Sequence, residues 1–235
     1  MHKDQQIYQT QNIEFRIVYS RQRTLGISVL PDSSVVVRAP YRASLKTITR
    51  IVQEKAAWIN KHRDGYLQNE KRKLNSSFVT GEKQLFRGEE CLLQVLQSKK
   101  AFVIFNEKTI DVGLDKPEDK MAIKRLLYKG YKTEAGKIFP EMLAYLLKIH
   151  ENQDFKPTGL IIRSMKSRWG SCSRKGLITL STELIKLPDV FIEYVIIHEL
   201  VHLKHHNHGK DYYILLSKLF PDWKKVRKDL REYIH

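Results

Sequence analysis

The chain has 235 residues, with 42 Lys+Arg against 26 Asp+Glu and a formal net charge of +16. That length can bury a real core as one domain or two small ones. Two cysteines, Cys91 and Cys172, make neither a disulfide framework nor a CxxC pair, no apolar run reaches membrane-spanning length, and Gly (11) and Pro (7) are too few for a low-complexity linker.

The excess of cations favours an anionic partner such as nucleic acid or a nucleotide. The Lys and Arg are scattered, however, and no block of five or six occurs, the pattern of a solvated surface. The opening "MHKDQQIYQTQNIEF" lacks the apolar stretch of a signal peptide. Together with the cysteine usage this makes the cytoplasm the expected compartment and a membrane role unexpected. No internal repeat is visible.

Taken along the chain, "IEFRIVYS" alternates like a half-buried strand. "LGISVLPDSSVVVRAP" reads as two β-rich runs joined at Pro31-Asp32-Ser33-Ser34. Ile48, Ile51, Val52, Ala56 and Ile59 then recur at helical spacing behind a Ser44 cap, predicting one helix over about 43–70. "FVTGEKQLFRGEECLLQVL" and "KAFVIFNEKTIDVGL" return to short strands, with turns at Gly81, Gly88 and Asn106, and read as a small curled sheet. From Lys116 the pattern becomes helical, and Pro140 is expected to kink that helix or to start a second. "TGLIIRS" and "LITLSTEL" are short strands flanking the polar loop "MKSRWGSCSRKG". The almost fully apolar helix "VFIEYVIIHELVHLKHH" must be buried, and an amphipathic segment with Trp223, Val226, Leu230 and Tyr233 on its inner stripe closes the chain. The expected class is α+β, with a β-rich region over 1–115 and a helical linker plus a further domain over 116–235.

The chemistry concentrates in "HELVHLKHHNHG", His198 to Gly209. Residues four apart lie on one helical face about 6 Å apart along the axis, so His198 and His202 can point at one ion. Glu199, one step round, is placed to reach a water at that ion. This H-E-x-x-H spacing is the zinc-hydrolase pattern of two His ligands and a Glu general base. A surface helix rich in His and Glu can produce it by coincidence, but on a buried helix uncompensated imidazoles and a carboxylate are costly.

A third ligand is less constrained. His205 shares the face but stands about 10 Å along the axis from His198 in a straight helix. If the helix ends and the chain folds back at Asn207 and Gly209, His208 becomes the favoured ligand. His205, His206 and a distant carboxylate remain alternatives. Three ligands leave a fourth position open, as in catalytic rather than structural zinc sites. Cys172 is the one candidate thiolate, and free cysteines are more often buried small residues.

The segment "MKSRWGSCSRKGLITLSTELIKLPDVFIEYVIIHELVHLKHHNHG" resembles the hallmark of the YgjP-like predicted metal-dependent hydrolases, relatives of the SprT and WLM zinc metalloproteases. "YSRQRTLGISVLPDSSVVVRAP", "EKAAWINKH" and "GEKQLFRG" extend the likeness backward in the same order. The resemblance implies a zincin-like catalytic core at the C-terminal end, with His198, His202 and His208 as ligands and Glu199 as base. It also sets "MKSRWGSCS" beside the metal cleft, making Lys166, Arg168 and Trp169 candidates for substrate binding. The opposed reading makes Trp169 a core anchor and the cations solvated. After the last ligand, where a Phe-Trp-like pair is expected, stand Tyr212 and Tyr213.

The leading expectation is a zinc-dependent hydrolase, a metallopeptidase, with one zinc or other divalent transition metal per chain. One alternative keeps the metal and makes the substrate a nucleoside triphosphate, held by Lys166, Arg168 and other cations. No Gly-rich phosphate loop supports it. The other is a non-enzymatic, basic nucleic-acid-binding module.

Overall fold

A computed structural model describes residues 7–10, 12–30, 32–64, 77–165 and 167–233. The chain divides into two compact units, the first extending to Ser76 and the second running from Ser77 to Ile234. The change from strand to helix near residue 116 therefore lies inside the second unit.

In the first unit β1 (Ile7–Thr10), β2 (Ile13–Ser20), β3 (Gly26–Val29) and β4 (Val35–Pro40) form a sheet of order β1-β2-β4-β3. Pro31 lies outside the described residues, and Asp32, Ser33 and Ser34 behave as their chemistry dictates. Asp32 Oδ1 accepts the Ser34 N–H at 3.0 Å, and Ser33 takes φ 63°. Helix α1 (Leu45–Glu54) starts where Ser44 Oγ accepts the Thr47 N–H at 3.2 Å. The single helix expected over 43–70 is interrupted. Lys55 leaves helical geometry (φ −100°, ψ 8°), and residues 56–64 resume it; 65–70 lie outside the described residues. Ile59 lies in one core with Ile48, Val52, Ile13, Phe15 and Val37.

The second unit opens with β5 (Lys83–Phe86), β6 (Glu89–Gln97), β7 (Phe102–Phe105) and β8 (Thr109–Leu114) in the order β5-β6-β8-β7. Both four-stranded sheets are an antiparallel hairpin, a parallel central pair and a second antiparallel pair, each followed by a helix. The topology is thus repeated where no sequence repeat shows, because pleat and burial constrain pattern rather than identity. The two-residue turn Arg87-Gly88 has positive φ at both positions (50° and 86°), the geometry that matches strand twist.

Helix α2 (Lys120–Ile149) runs through Pro140, so no second helix starts there. Its buried face, Ile123, Leu127, Tyr131, Ala135, Phe139, Leu143 and Leu146, spans the proline. Tertiary packing therefore outweighs the lost backbone bond. Strands β9 (Gly159–Arg163), β10 (Gly170–Cys172) and β11 (Leu177–Ser181) form a third sheet, order β10-β11-β9, with β10 at its edge inside the expected loop. Against β10 packs α3 (Asp189–His202), followed by α4 (Lys210–Leu219) and α5 (Trp223–Glu232). The closing amphipathic segment is thus two helices, broken at Phe220-Pro221-Asp222. Trp223, Val226 and Leu230 are buried, whereas Tyr233 is 45% exposed. The architecture is mixed α+β, and no described helix is long and apolar enough to cross a membrane.

Candidate metal centre

Helix α3 is anchored before it reaches the histidines. The Arg87 and Gly88 N–H groups donate to the carbonyls of Ile185 and Lys186 at 2.9 and 3.0 Å. The Arg87 guanidinium pairs with Asp189 in the first helical turn, where a carboxylate also suits the helix dipole. Burial of Phe191, Ile192, Val195, Ile196, Leu200 and Val201 then fixes the rotation of the helix about its axis.

That rotation brings His198 and His202 together, and their ring centroids lie 5.0 Å apart. Helix α3 ends at His202, earlier than the sequence suggests, and the chain reverses over 203–209. Neither Asn207 nor Gly209 has a positive φ; Gly209 is extended (φ −83°, ψ −173°) as it caps α4. The reversal returns His208, whose Nε2 sits 3.2 Å from that of His198. One ligand atom from each of His198, His202 and His208 falls within 4.8 Å of the others. Ligands about 2.1 Å from one tetrahedral ion are separated by roughly 3.4 Å, so this donor set suits a transition metal. His205 and His206 are outside the group.

The protonation states agree with that fit. Burial, reinforced by the neighbouring His202 and His208, pushes His198 down to about 3. Burial also lowers His202 and His208. Neutral imidazole is the form that binds metals. His202 Nδ1 lies 3.0 Å from the His205 carbonyl oxygen, which accepts its proton and leaves Nε2 free. His205 therefore contributes its main chain.

Glu199 is only 4% exposed. Burial raises its carboxyl to about 8, opposed by Arg168 and by a hydrogen bond from the Cys172 main chain. A divalent cation in the adjacent imidazoles would favour the carboxylate. Without metal the sign is definite. The folded value exceeds the ordinary one of 4.5, so this stability is complete below about 4.5 and is lost as pH rises toward 8. Chemical denaturation of metal-free protein between pH 5 and 8 should show wild type losing up to about 1.36 kcal/mol per pH unit relative to Glu199→Gln. Parallel curves would contradict a raised carboxyl.

Gly170 is the close neighbour of that carboxyl. A Cβ there would lie 2.7 Å from Glu199 Oε1 and 2.9 Å from Val195 Cγ1. Gly170→Ala should therefore displace Glu199 and lower by about 10²-fold any turnover that this carboxyl assists. Undiminished turnover would show that the carboxyl has room to spare. Of the other candidates, Arg168 is exposed and acts on Glu199 electrostatically, while Trp169 packs against the core. Lys166 lies outside the described residues. Cys172 is not among the gathered donors, and burial beside Glu199 pushes its thiol up to about 11.

Three neutral imidazoles converging beside a buried carboxyl define a protein equipped to hold a metal ion. The sequence model of the YgjP-like, metallopeptidase domain family matches residues 23–233, and the chain belongs to that family. A comparison with curated proteins found no match. Among solved structures, the chain is similar to the metallopeptidase zymogen jannalysin of Methanocaldococcus jannaschii, with 20% identity and a TM-score of 0.37 over 41% of this chain and 97% of that one. It is also similar to the metallopeptidase zymogen abylysin of Pyrococcus abyssi, with 25% identity and a TM-score of 0.36 over 40% of this chain and 91% of that one.

Proposed function

We propose that this family member is a zinc-dependent peptidase with a zincin-like catalytic core, in which His198, His202 and His208 hold the metal and Glu199 is the general base. The convergence of three imidazole donors within 4.8 Å beside a buried glutamate carries this reading. Zinc held by these three imidazoles would supply Lewis acidity toward water and the scissile carbonyl. Glu199 takes a proton from the attacking water, whose oxygen bonds to the carbonyl carbon, and delivers it to the departing amine nitrogen as the C–N bond breaks. Gly170 leaves the carboxyl the space it occupies. Arg168, acting on Glu199 from the exposed side, favours its ionised form and stands ready for an anionic group of the substrate.

A second reading, hydrolysis of a nucleoside triphosphate, draws on a hollow of about 280 Å³ whose lining includes Arg174, Lys175, Lys204, His206 and the ion pair of Lys156 with Asp154. Lys204 and His206 belong to the loop joining His202 to His208. Zinc-loaded protein should be assayed against casein and nucleoside triphosphates, with Glu199→Gln as control. Glu199-dependent cleavage of casein supports the peptidase. Phosphate release alone would replace it with the nucleotide reading.

A further inference from the structure

We propose that Tyr212 is a positioning residue that sets the tautomer of His198. Tyr212 is fully buried, and its hydroxyl lies 2.7 Å from His198 Nδ1 and 3.2 Å from the His198 carbonyl oxygen. When Nε2 of His198 holds a metal, its single proton must sit on Nδ1. The tyrosine oxygen then accepts from Nδ1–H and donates its own proton to the main-chain carbonyl, leaving no donor unmatched. The opposite arrangement, with the hydroxyl donating to Nδ1, puts the ring proton on Nε2 and blocks the metal. The carbonyl on the same residue draws the hydroxyl proton away from that arrangement. A phenylalanine fills the same volume but leaves Nδ1–H buried without an acceptor. His202 has the parallel device in the His205 carbonyl.

The proposal rests on the metal reading of the three histidines, and the test separates the two. Zinc affinity is measured by chelator competition for wild type, Tyr212→Phe and Tyr213→Phe. Wild type should bind one zinc, Tyr212→Phe should bind it roughly 10- to 100-fold more weakly, and Tyr213→Phe should match wild type within about twofold. Proton–nitrogen NMR of the zinc-loaded imidazoles should show hydrogen-bonded Hδ1 signals from both His198 and His202. Tyr212→Phe should lose the first and keep the second, which also reports an intact fold. Wild type that binds no zinc overturns the metal reading. Wild-type zinc binding with unchanged affinity or an unchanged His198 signal in Tyr212→Phe overturns the role of Tyr212.

A different observation, in the first unit, carries a second inference. Strands β2 and β4 run parallel with Ser20 opposite Pro40, so the chain leaves both at the same end of the sheet. Tyr19 and Tyr41 stack there, with centroids 6.5 Å apart and planes at 15°, although they are 40% and 68% exposed. Arg21, Arg23 and Arg42 follow directly and are exposed. Between Phe15 and Gln53 the sequence holds seven Lys and Arg and a single carboxylate, Asp32, with Glu14 and Glu54 flanking that stretch and Glu54 paired to Arg50. We infer that this end binds single-stranded nucleic acid. Exposed aromatic faces stack unpaired bases, and planar guanidinium groups hold the phosphates between them.

The full chain should bind a labelled single-stranded oligonucleotide at 50 mM salt with affinity falling steeply by 200 mM. Tyr41→Ala should weaken binding roughly fivefold or more, Arg42→Ala should flatten the salt dependence, and Lys218→Ala in the second unit should change neither. Equal displacement by duplex DNA or by polyglutamate would overturn the assignment, as would an unaffected Tyr41→Ala.

Discussion

Glu199→Gln should retain fold and metal while lowering hydrolysis about 10²- to 10⁴-fold, the range supplied by a positioned general base. Glutamine has nearly the same volume and keeps an oxygen that can accept the Cys172 main-chain N–H. It cannot take a proton from water at neutral pH. Glu199 is 4% exposed, so solvent has little access to stand in for it. Substitution also removes a carboxyl that burial raises to about 8. The variant should therefore be at least as stable as wild type when metal-free, and inactivity cannot be blamed on unfolding. Full turnover by the variant, with metal content near one equivalent, would remove this mechanism.

His208→Ala should cost at least about 100-fold in metal affinity, whereas His205→Ala should leave it near wild type. The contrast follows from what each residue contributes. His208 brings an imidazole nitrogen 3.2 Å from that of His198. His205 brings its carbonyl oxygen, which accepts from His202 Nδ1 and survives truncation of the side chain. Elemental analysis of both variants, purified without added metal, decides the matter. Metal retained in His208→Ala and lost from His205→Ala would reverse the assignment of the third ligand.

Part of this centre is legible without a structure. A spacing of four puts His198 and His202 on one helical face, and the apolar residues around them require that helix to be buried. The strands around Asp32 and Gly88 are legible too, since turn chemistry is local. Local reasoning fails where a non-local contact decides. Pro140 could have started a second helix, yet packing on both sides of it carries α2 through as one element. Conversely, no breaking residue announces the turn at Lys55, and nothing in the structure explains it.

The same division runs through the metal centre. By itself the sequence determined the chemical types, the paired helical imidazoles and the glutamate one step round, because helical periodicity is a property of the backbone. Which further histidine joins them depended on where α3 ends and how 203–209 turns, and several conformations are open to that stretch. Only the tertiary structure returned His208 to His198, closed β10 onto Glu199 at Gly170 and buried the Tyr212 hydroxyl against an imidazole fourteen residues earlier. These contacts join separate elements of the fold. Their geometry is set by packing density and by matching every buried donor with an acceptor, which no spacing along the chain encodes.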